Sequence, residues 1–432
     1  MMQPNDLQAD SFEERLAYRQ IPREQRTALQ LGILNDLLEY LLPRNRFYAE
    51  KFADVKFPIR TLEEWAQAPL TTKEELQQAG EDPWNSPHLT EPIEQYIRYH
   101  QTSGTKGKPL TVLDTREDWQ WWLDCWQYVL DAAEVIPEDR VFMAFSFGPF
   151  IGFWSAHDAC LQRGCLVIPG GGLSTLGRLE LLERNQATVV CCTPSYALHL
   201  AETAAAKGIP LADFPVRVLI LAGEPGGSIP AIRERIETAW NAKVLDHSGA
   251  SEAGPWGYGD LEGRGIYLNE ASYLAECISL EENRPAQEGE LSQLILTNLG
   301  RSGFPLLRYK SGDLVRPSWS HSETNRHLFF TGGVLGRADD MMVIRGVNIY
   351  PTAIEAILRD FPDIQEYRLI ASKNGQMDEL HIEIEDEQQQ PERIANALQT
   401  RLSLRVQVET VPLGSLPRFE AKGRRFIDQR TS

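Results

Sequence analysis

The ten residues His100-Gln101-Thr102-Ser103-Gly104-Thr105-Lys106-Gly107-Lys108-Pro109 hold three hydroxyl side chains, two glycines and two lysines. That is the chemistry of a phosphate cradle. Glycines let successive backbone N–H groups turn toward one anion, hydroxyls add donors, and lysines bring charge to the phosphoryl oxygens. A Walker A loop would need Ser or Thr after its Gly-Lys pair to hold Mg²⁺, and a helix to follow. Here Pro109 takes that place and the β-prone Leu110-Thr111-Val112-Leu113 comes next. With Tyr96-Ile97-Arg98-Tyr99 on the other side, the spacing predicts a loop joining two strands. In isolation, a solvated hairpin turn fits the same residue types.

Further segments of this character follow in the chain. The apolar run Val216 to Leu221 leads into Ala222-Gly223-Glu224-Pro225-Gly226-Gly227, and the strand-like Val244-Leu245-Asp246 into His247-Ser248-Gly249-Ala250-Ser251-Glu252. Leu307-Arg308-Tyr309-Lys310-Ser311-Gly312-Asp313 closes a β-rich stretch. Gly336-Arg337-Ala338-Asp339-Asp340-Met341 opens a longer segment through Arg345-Gly346 to Pro351, and Leu416-Pro417-Arg418-Phe419-Glu420-Ala421-Lys422-Gly423-Arg424-Arg425 lies near the end. A glycine beside a base allows backbone contact that a side chain would block. A short acidic acceptor at a strand end suits a vicinal diol, and a carboxylate is the hard ligand that phosphate-bound Mg²⁺ requires. Each piece has a plainer alternative: a strand-to-helix turn at Gly223, capping by Ser251 and Glu252, a Ser-Gly-Asp turn at Asp313, a solvated basic tail at Lys422.

In this order the segments resemble the signature motifs of the adenylate-forming acyl- and aryl-CoA synthetases, with the phenylacetate-CoA ligases as the nearest subfamily. The resemblance implies that Thr102, Ser103, Gly104, Thr105, Lys106, Gly107 and Lys108 grip the phosphates of ATP. It puts Gly223, Glu224 and Pro225 against adenine, with Asp246, Ser248 and Gly249 in the same nucleotide site. Ser251 would reach the α-phosphate, Glu252 would carry Mg²⁺, Asp313 would accept from the ribose hydroxyls, and Arg337 would contact ribose or phosphate. Asp339 would be the hinge, Arg345 and Gly346 would face the thiol acceptor, and Lys422 would be the catalytic ammonium. Three positions depart from the family pattern: Lys106 replaces a threonine, Ser248 replaces the aromatic residue that stacks on adenine, and Ala421 replaces a glycine.

The elements that must position these groups are legible in outline. Helical patterns dominate residues 1 to about 90, where Leu29 to Leu42 reads as an amphipathic core helix. Within this region Asn45-Arg46-Phe47-Tyr48 and Pro69-Leu70-Thr71-Thr72-Lys73-Glu74 resemble N-terminal family segments, and are read as packing plus solvated charge. An aromatic helix with Trp119, Trp121, Trp122 and Trp126 precedes a buried strand, Val141 to Phe147. The turn from Phe145 to Gly152 then sits where open α/β sheets hold ligands. By resemblance Phe147, Phe150 and Gly152, with Ala222, wall the acyl pocket, and plain core is the alternative for the two phenylalanines. No carboxylate lies between Phe145 and Ala156, which suits an aromatic or otherwise apolar acid better than an amino acid.

The expected architecture is α/β and α+β multidomain. Residues 1–336 would form a large ATP- and carboxylate-binding domain with parallel α/β sheets and a β-rich subdomain, hinged to a small α+β lid at 337–432. The lid is read as a helix from Pro351, strands near Tyr367 to Ala371 and Leu380 to Ile384, a helix from Pro391, and a last strand Val406 to Val411.

Over 432 residues the net charge of -18 argues against nucleic acid or an anionic membrane as partner. The six cysteines show no metal-ligand spacing and fit buried thiols in a reducing cytosol. Residues 253 to 270 lack Cys and His, and 314 to 336 lack Cys, so no structural zinc is expected. The implied reactants are a small carboxylic acid, ATP with Mg²⁺, and coenzyme A in the cytoplasm. A carrier-protein pantetheine is the alternative thiol, a homodimer stays open, and a catalytically degenerate nucleotide-binding module is the reading from a different class.

Overall fold

The computed structural model describes residues 11–102, 109–280, 282–319, 322–338, 342–344, 347–374, 377–402, 406–417 and 425–430. Five parallel strands form the half of the central sheet that matters most for the site. Their spatial order is Leu166–Pro169, Arg140–Met143, Val189–Cys192, Val218–Leu221 and Lys243–Ala250. Val189–Cys192 and Val218–Leu221 are apolar at every position because both faces are covered there. Val189, Cys191, Val218, Ile220 and Leu245 enter one core with the helices Arg116–Ala132 and Trp154–Arg163. Val190, Cys192, Leu219, Leu221 and Val244 enter the other, under Thr175–Arg184, Pro194–Lys207 and Pro230–Trp240. From Lys243–Ala250 the sheet continues antiparallel through Gly254–Gly259, Gly265–Leu268, Phe329–Thr331 and Pro317–Ser318, nine strands in all.

Three further units frame the carboxyl ends of the parallel strands. Tyr96–Gln101 and Thr111–Thr115 pair as an antiparallel hairpin, as the loop between them predicts. Tyr273–Ser279, Ser292–Asn298, Tyr309–Val315 and Gly336–Arg337 make an antiparallel sheet. The third unit has its own core, including Ile354, Leu358, Leu369, Ile382, Ile384 and Leu398. It folds around Ile364–Asn374, Met377–Asp386, Gln407–Thr410 and Phe426–Asp428, with helices Pro351–Arg359 and Pro391–Leu402. All six cysteines are free and buried. Among the described residues no helix is long and apolar enough to cross a membrane.

Two expectations need correction. The strand predicted over Val141 to Phe147 ends at Met143; only Ala144 beyond it stays buried, because the chain then leaves the sheet toward Gly148 and Pro149. The strand expected near Val406 to Val411 is present as Gln407–Thr410, but it is not the last, because Phe426–Asp428 follows it. This final strand spans three half-buried residues and runs parallel to Ile364–Asn374, too short a run to show a period.

Candidate active site

Glu252 follows the end of Lys243–Ala250 and is 4% exposed. Its Oε1 accepts hydrogen bonds from Lys73 Nζ at 3.0 Å and the Tyr309 hydroxyl at 2.9 Å. Burial alone would raise this carboxyl, but the charge and hydrogen bond of Lys73, with the Tyr309 hydroxyl, hold it below the usual carboxylate range. The site therefore contains a buried anion.

Lys73 reaches it through a backbone bridge. Thr71 N donates to Arg308 O and Lys310 N donates to Thr71 O, both at 2.9 Å, so the N-terminal segment lies along the strand that carries Tyr309. Thr72 then caps the helix Lys73–Ala79 in a reciprocal capping box with Glu75, which sets Lys73 at its first turn. Reading Lys73 as solvated charge missed this role. No local sequence signal reveals it, because its partners lie in distant segments.

The same strand, Tyr309–Val315, presents Asp313, which pairs across the sheet with Arg337. Arg337 Nη1 donates to Asp313 Oδ1 at 3.0 Å. Asp313 thus lies within a strand and not in a bare turn. Its approach bends at Gly312, where φ is +80° and a side chain would be strained.

The loop after Val218–Leu221 brings Glu224 to Ser195, whose backbone N–H donates to it at 2.7 Å and whose hydroxyl donates as well. Glu224 Oε2 also lies 3.8 Å from Arg425 Nη1, while Arg425 Nε binds Glu366 at 2.6 Å. Gly223 adopts φ +94°. A Cβ on Gly227 would stand 2.7 Å from the Asp246 side chain, so the loop packs directly on the neighbouring strand end. Asp246 is buried, accepts from the Ser228 hydroxyl at 2.6 Å, and is pushed up to about 6 by burial. Ser248 and Ser251 are half-buried and Gly249 is exposed, as are Gly223 and Pro225.

The residues expected to wall the acyl pocket follow the ends of Arg140–Met143 and Val218–Leu221. Phe147 is half-buried against Trp154, with ring centroids 4.5 Å apart, and against His157 at 5.6 Å. Phe150 is 43% exposed, so the core alternative does not hold for it. Gly152 has φ +41°, and a Cβ there would strike the Phe145 ring. Ala222 is half-buried. Gln101 N donates to Pro149 O at 2.8 Å, which fastens the hairpin to this wall. In the hairpin stem Thr102 is buried and its hydroxyl accepts from Leu110 N at 3.0 Å. Ser103, Gly104, Thr105, Lys106, Gly107, Lys108, Asp339, Arg345, Gly346 and Lys422 lie outside the described residues.

Residues 346–430 match the model of the AMP-binding enzyme C-terminal domain. Over its whole length the chain superposes on 2-hydroxyisobutyryl-CoA ligase in the postadenylation state, with TM-score 0.90, 26% identity and 95% of that chain covered. Against the same ligase in its thioesterification state the TM-score is 0.73. The phenylacetate-coenzyme A ligase of Thermus thermophilus is 30% identical, over 95% of this chain and 98% of that protein. The chain belongs to the phenylacetate-CoA ligase family. It is an AMP-forming acid–thiol ligase that uses ATP and CoA.

The donor set of this ligase can be tested against the metal its family implies. Among the described residues no three His, Cys, Asp or Glu side chains converge as a cage. A single ionised carboxylate, Glu252, fits Mg²⁺, which takes one or two carboxylates and completes its shell from phosphates and water.

Proposed function

We propose that this ligase activates an aromatic or otherwise apolar carboxylic acid and transfers the acyl group to the CoA thiol. The observation that carries the reading is the buried, ionised Glu252 between Lys73 and Tyr309; Tyr309 lies on the strand that also presents Asp313 with Arg337. The acid is already a carboxylate at neutral pH, so no general base is required. The barrier lies in joining two anions and spreading charge on the phosphoryl oxygens, which positioning and fixed positive groups lower. Lys108 with the loop around it, and Lys422, supply those groups, and Ser251 reaches the α-phosphate. Mg²⁺ held by Glu252 would neutralise charge on the phosphates. Asp313 and Arg337 hold the ribose, and the Gly223-Glu224-Pro225 loop lies along adenine, with Asp246, Ser248 and Gly249 completing the nucleotide site. Phe147, Phe150, Gly152 and Ala222 contact the acyl group.

Residues 1–336 would then carry nucleotide and acid, and residues 337–432 would turn about Asp339, a hinge motion absorbed by a few residues. That turn withdraws Lys422 and brings Arg345 and Gly346 to the thiol. A panel of aryl, aryl-acetic and short aliphatic acids in pyrophosphate exchange tests the assignment. Aryl and aryl-acetic acids should support exchange best. Preference for short aliphatic acids would contradict it.

Two smaller effects follow from the contacts of this site. Lys73→Met leaves a buried carboxylate without its cation, which should cost about 1–2 kcal/mol after allowing for the partial exposure of Lys73. The melting temperature should therefore fall without Mg²⁺ and recover with Mg²⁺ more than in the parent. An equal Mg²⁺ response in both proteins would count against metal at Glu252. Glu224→Gln keeps a Ser195 acceptor but removes the charge facing Arg425, and should slow adenylation by up to about fivefold. Thioester formation from supplied acyl-adenylate should change less, as rate measurements on the separate half-reactions would reveal.

A further inference from the structure

The segment between the strands Ser292–Asn298 and Tyr309–Val315 runs beneath the hairpin and is seated tightly. A Cβ on Gly300 would stand 2.3 Å from Trp121, and one on Gly303 would stand 2.4 Å from Asp118. Between these glycines lies Arg301, with no exposed surface. Its Nε donates to Asp114 Oδ1 at 2.8 Å, and its Nη2 lies 2.5 Å from the same oxygen. The remaining arm, Nη1, donates to the backbone carbonyl of Glu252 at 2.6 Å. The guanidinium is flanked by the rings of Trp122 and Phe304, 5.4 and 4.9 Å from their centroids.

Asp114 belongs to the second hairpin strand and is itself fully buried. Trp122 Nε1 donates to it at 3.1 Å. His100 Nδ1 on the first hairpin strand is 4.0 Å away, but burial lowers that imidazole to about 4, so at neutral pH it brings no charge. Arg301 is therefore the counter-charge of Asp114, and its fork ties the hairpin stem to the backbone of Glu252. Burial obliges the guanidinium to pair its remaining N–H groups, and the acceptor that Nη1 takes is the Glu252 carbonyl, so the ion pair and the backbone of the carboxylate are set together. The planar guanidinium fixes its donors in one plane at set angles, which an ammonium cannot reproduce.

We infer that Arg301 is a positioning residue: a strut that sets the separation between the phosphate-gripping hairpin and the carboxylate that receives Mg²⁺. The inference rests on the function proposed above and adds a residue to it. Partners one step behind a metal ligand typically change metal affinity about 10- to 100-fold when altered.

The test uses the full chain with Arg301→Lys, the near-isosteric Asp114→Asn, and Arg26→Lys as a control. Arg26 is equally buried and pairs with Glu270 at 2.8 Å, away from Glu252. In acid-dependent pyrophosphate exchange, Arg301→Lys and Asp114→Asn should each raise the Mg²⁺ concentration for half-maximal rate by about tenfold or more. The KM for the acid, and thioester formation from supplied acyl-adenylate, should stay close to the parent. The control should leave the Mg²⁺ dependence in place. An unchanged Mg²⁺ dependence in whichever of the two variants folds, or an equal shift in Arg26→Lys, would overturn the strut. If the parent protein showed no acid-dependent exchange at all, the function beneath the inference would fall instead.

Discussion

Lys422→Ala is expected to abolish acid-dependent pyrophosphate exchange while leaving thioester formation from supplied acyl-adenylate largely intact. The reasoning begins with what holds the tail. On one side, Gly414 N and Leu416 N donate to the buried Glu385 carboxylate at 2.9 and 2.7 Å. On the other side, Arg425 is bound to Glu366 and lies beside Glu224 of the proposed adenine loop. Both flanks of Lys422 are thus anchored, and the later anchor faces the nucleotide loop. An ammonium delivered from such a tail assists the attack of one anion on another, and loss of one such contact costs about 10²- to 10³-fold. On the proposed mechanism the lid would turn in the second half-reaction and take the lysine away from the reacting atoms, so its loss should hardly matter there. Measuring the two half-reactions separately decides the point. Equal losses in both would contradict the alternating use of the tail.

Glu252→Gln is the second large effect. The amide keeps the shape of the carboxylate and a carbonyl oxygen for the Tyr309 hydroxyl, so the fold should survive. What disappears is the charge that pairs with Lys73 and that the proposed Mg²⁺ would require. Exchange should fall about 10²- to 10³-fold, and excess Mg²⁺ should recover part of it. Tyr309→Phe removes a neutral donor from the same oxygen and should cost far less. If Glu252→Gln stayed within a few-fold of the parent across a Mg²⁺ titration, the carboxylate would have no part in the reaction.

The sequence reveals most where local pattern and tertiary demand coincide. The apolar run ending in Val218–Leu221 is an instance: it is apolar at every position because cores lie on both faces of the sheet. The hairpin around residues 102–109 announces itself through its glycines and flanking β-prone runs. Asp313 and Arg337 stand out in separate motifs, and the structure pairs them directly, a contact that neither motif announces.

Other features have no local signature. Lys73 matters because Thr71 zips onto the strand of Tyr309, a long-range pairing invisible in the segment itself. Arg301 has no local signal of burial, yet it is fully buried between two glycines that let Trp121 and Asp118 approach. Phe145 and Phe147 continue the apolar character of the strand before them, but the chain has left the sheet there, with both rings half-buried and Ser146 between them exposed. Apolar character marks contact with something; it does not say whether that is core or ligand.

A structure of the protein with bound AMP or a non-hydrolysable ATP analogue tests the central claim most directly. We expect the ribose hydroxyls within hydrogen-bonding distance of Asp313, the base along Gly223 to Pro225, and the phosphates between Glu252 and the hairpin loop. A nucleotide bound elsewhere, or one that leaves Glu252 and Asp313 turned away from it, would contradict the assignment.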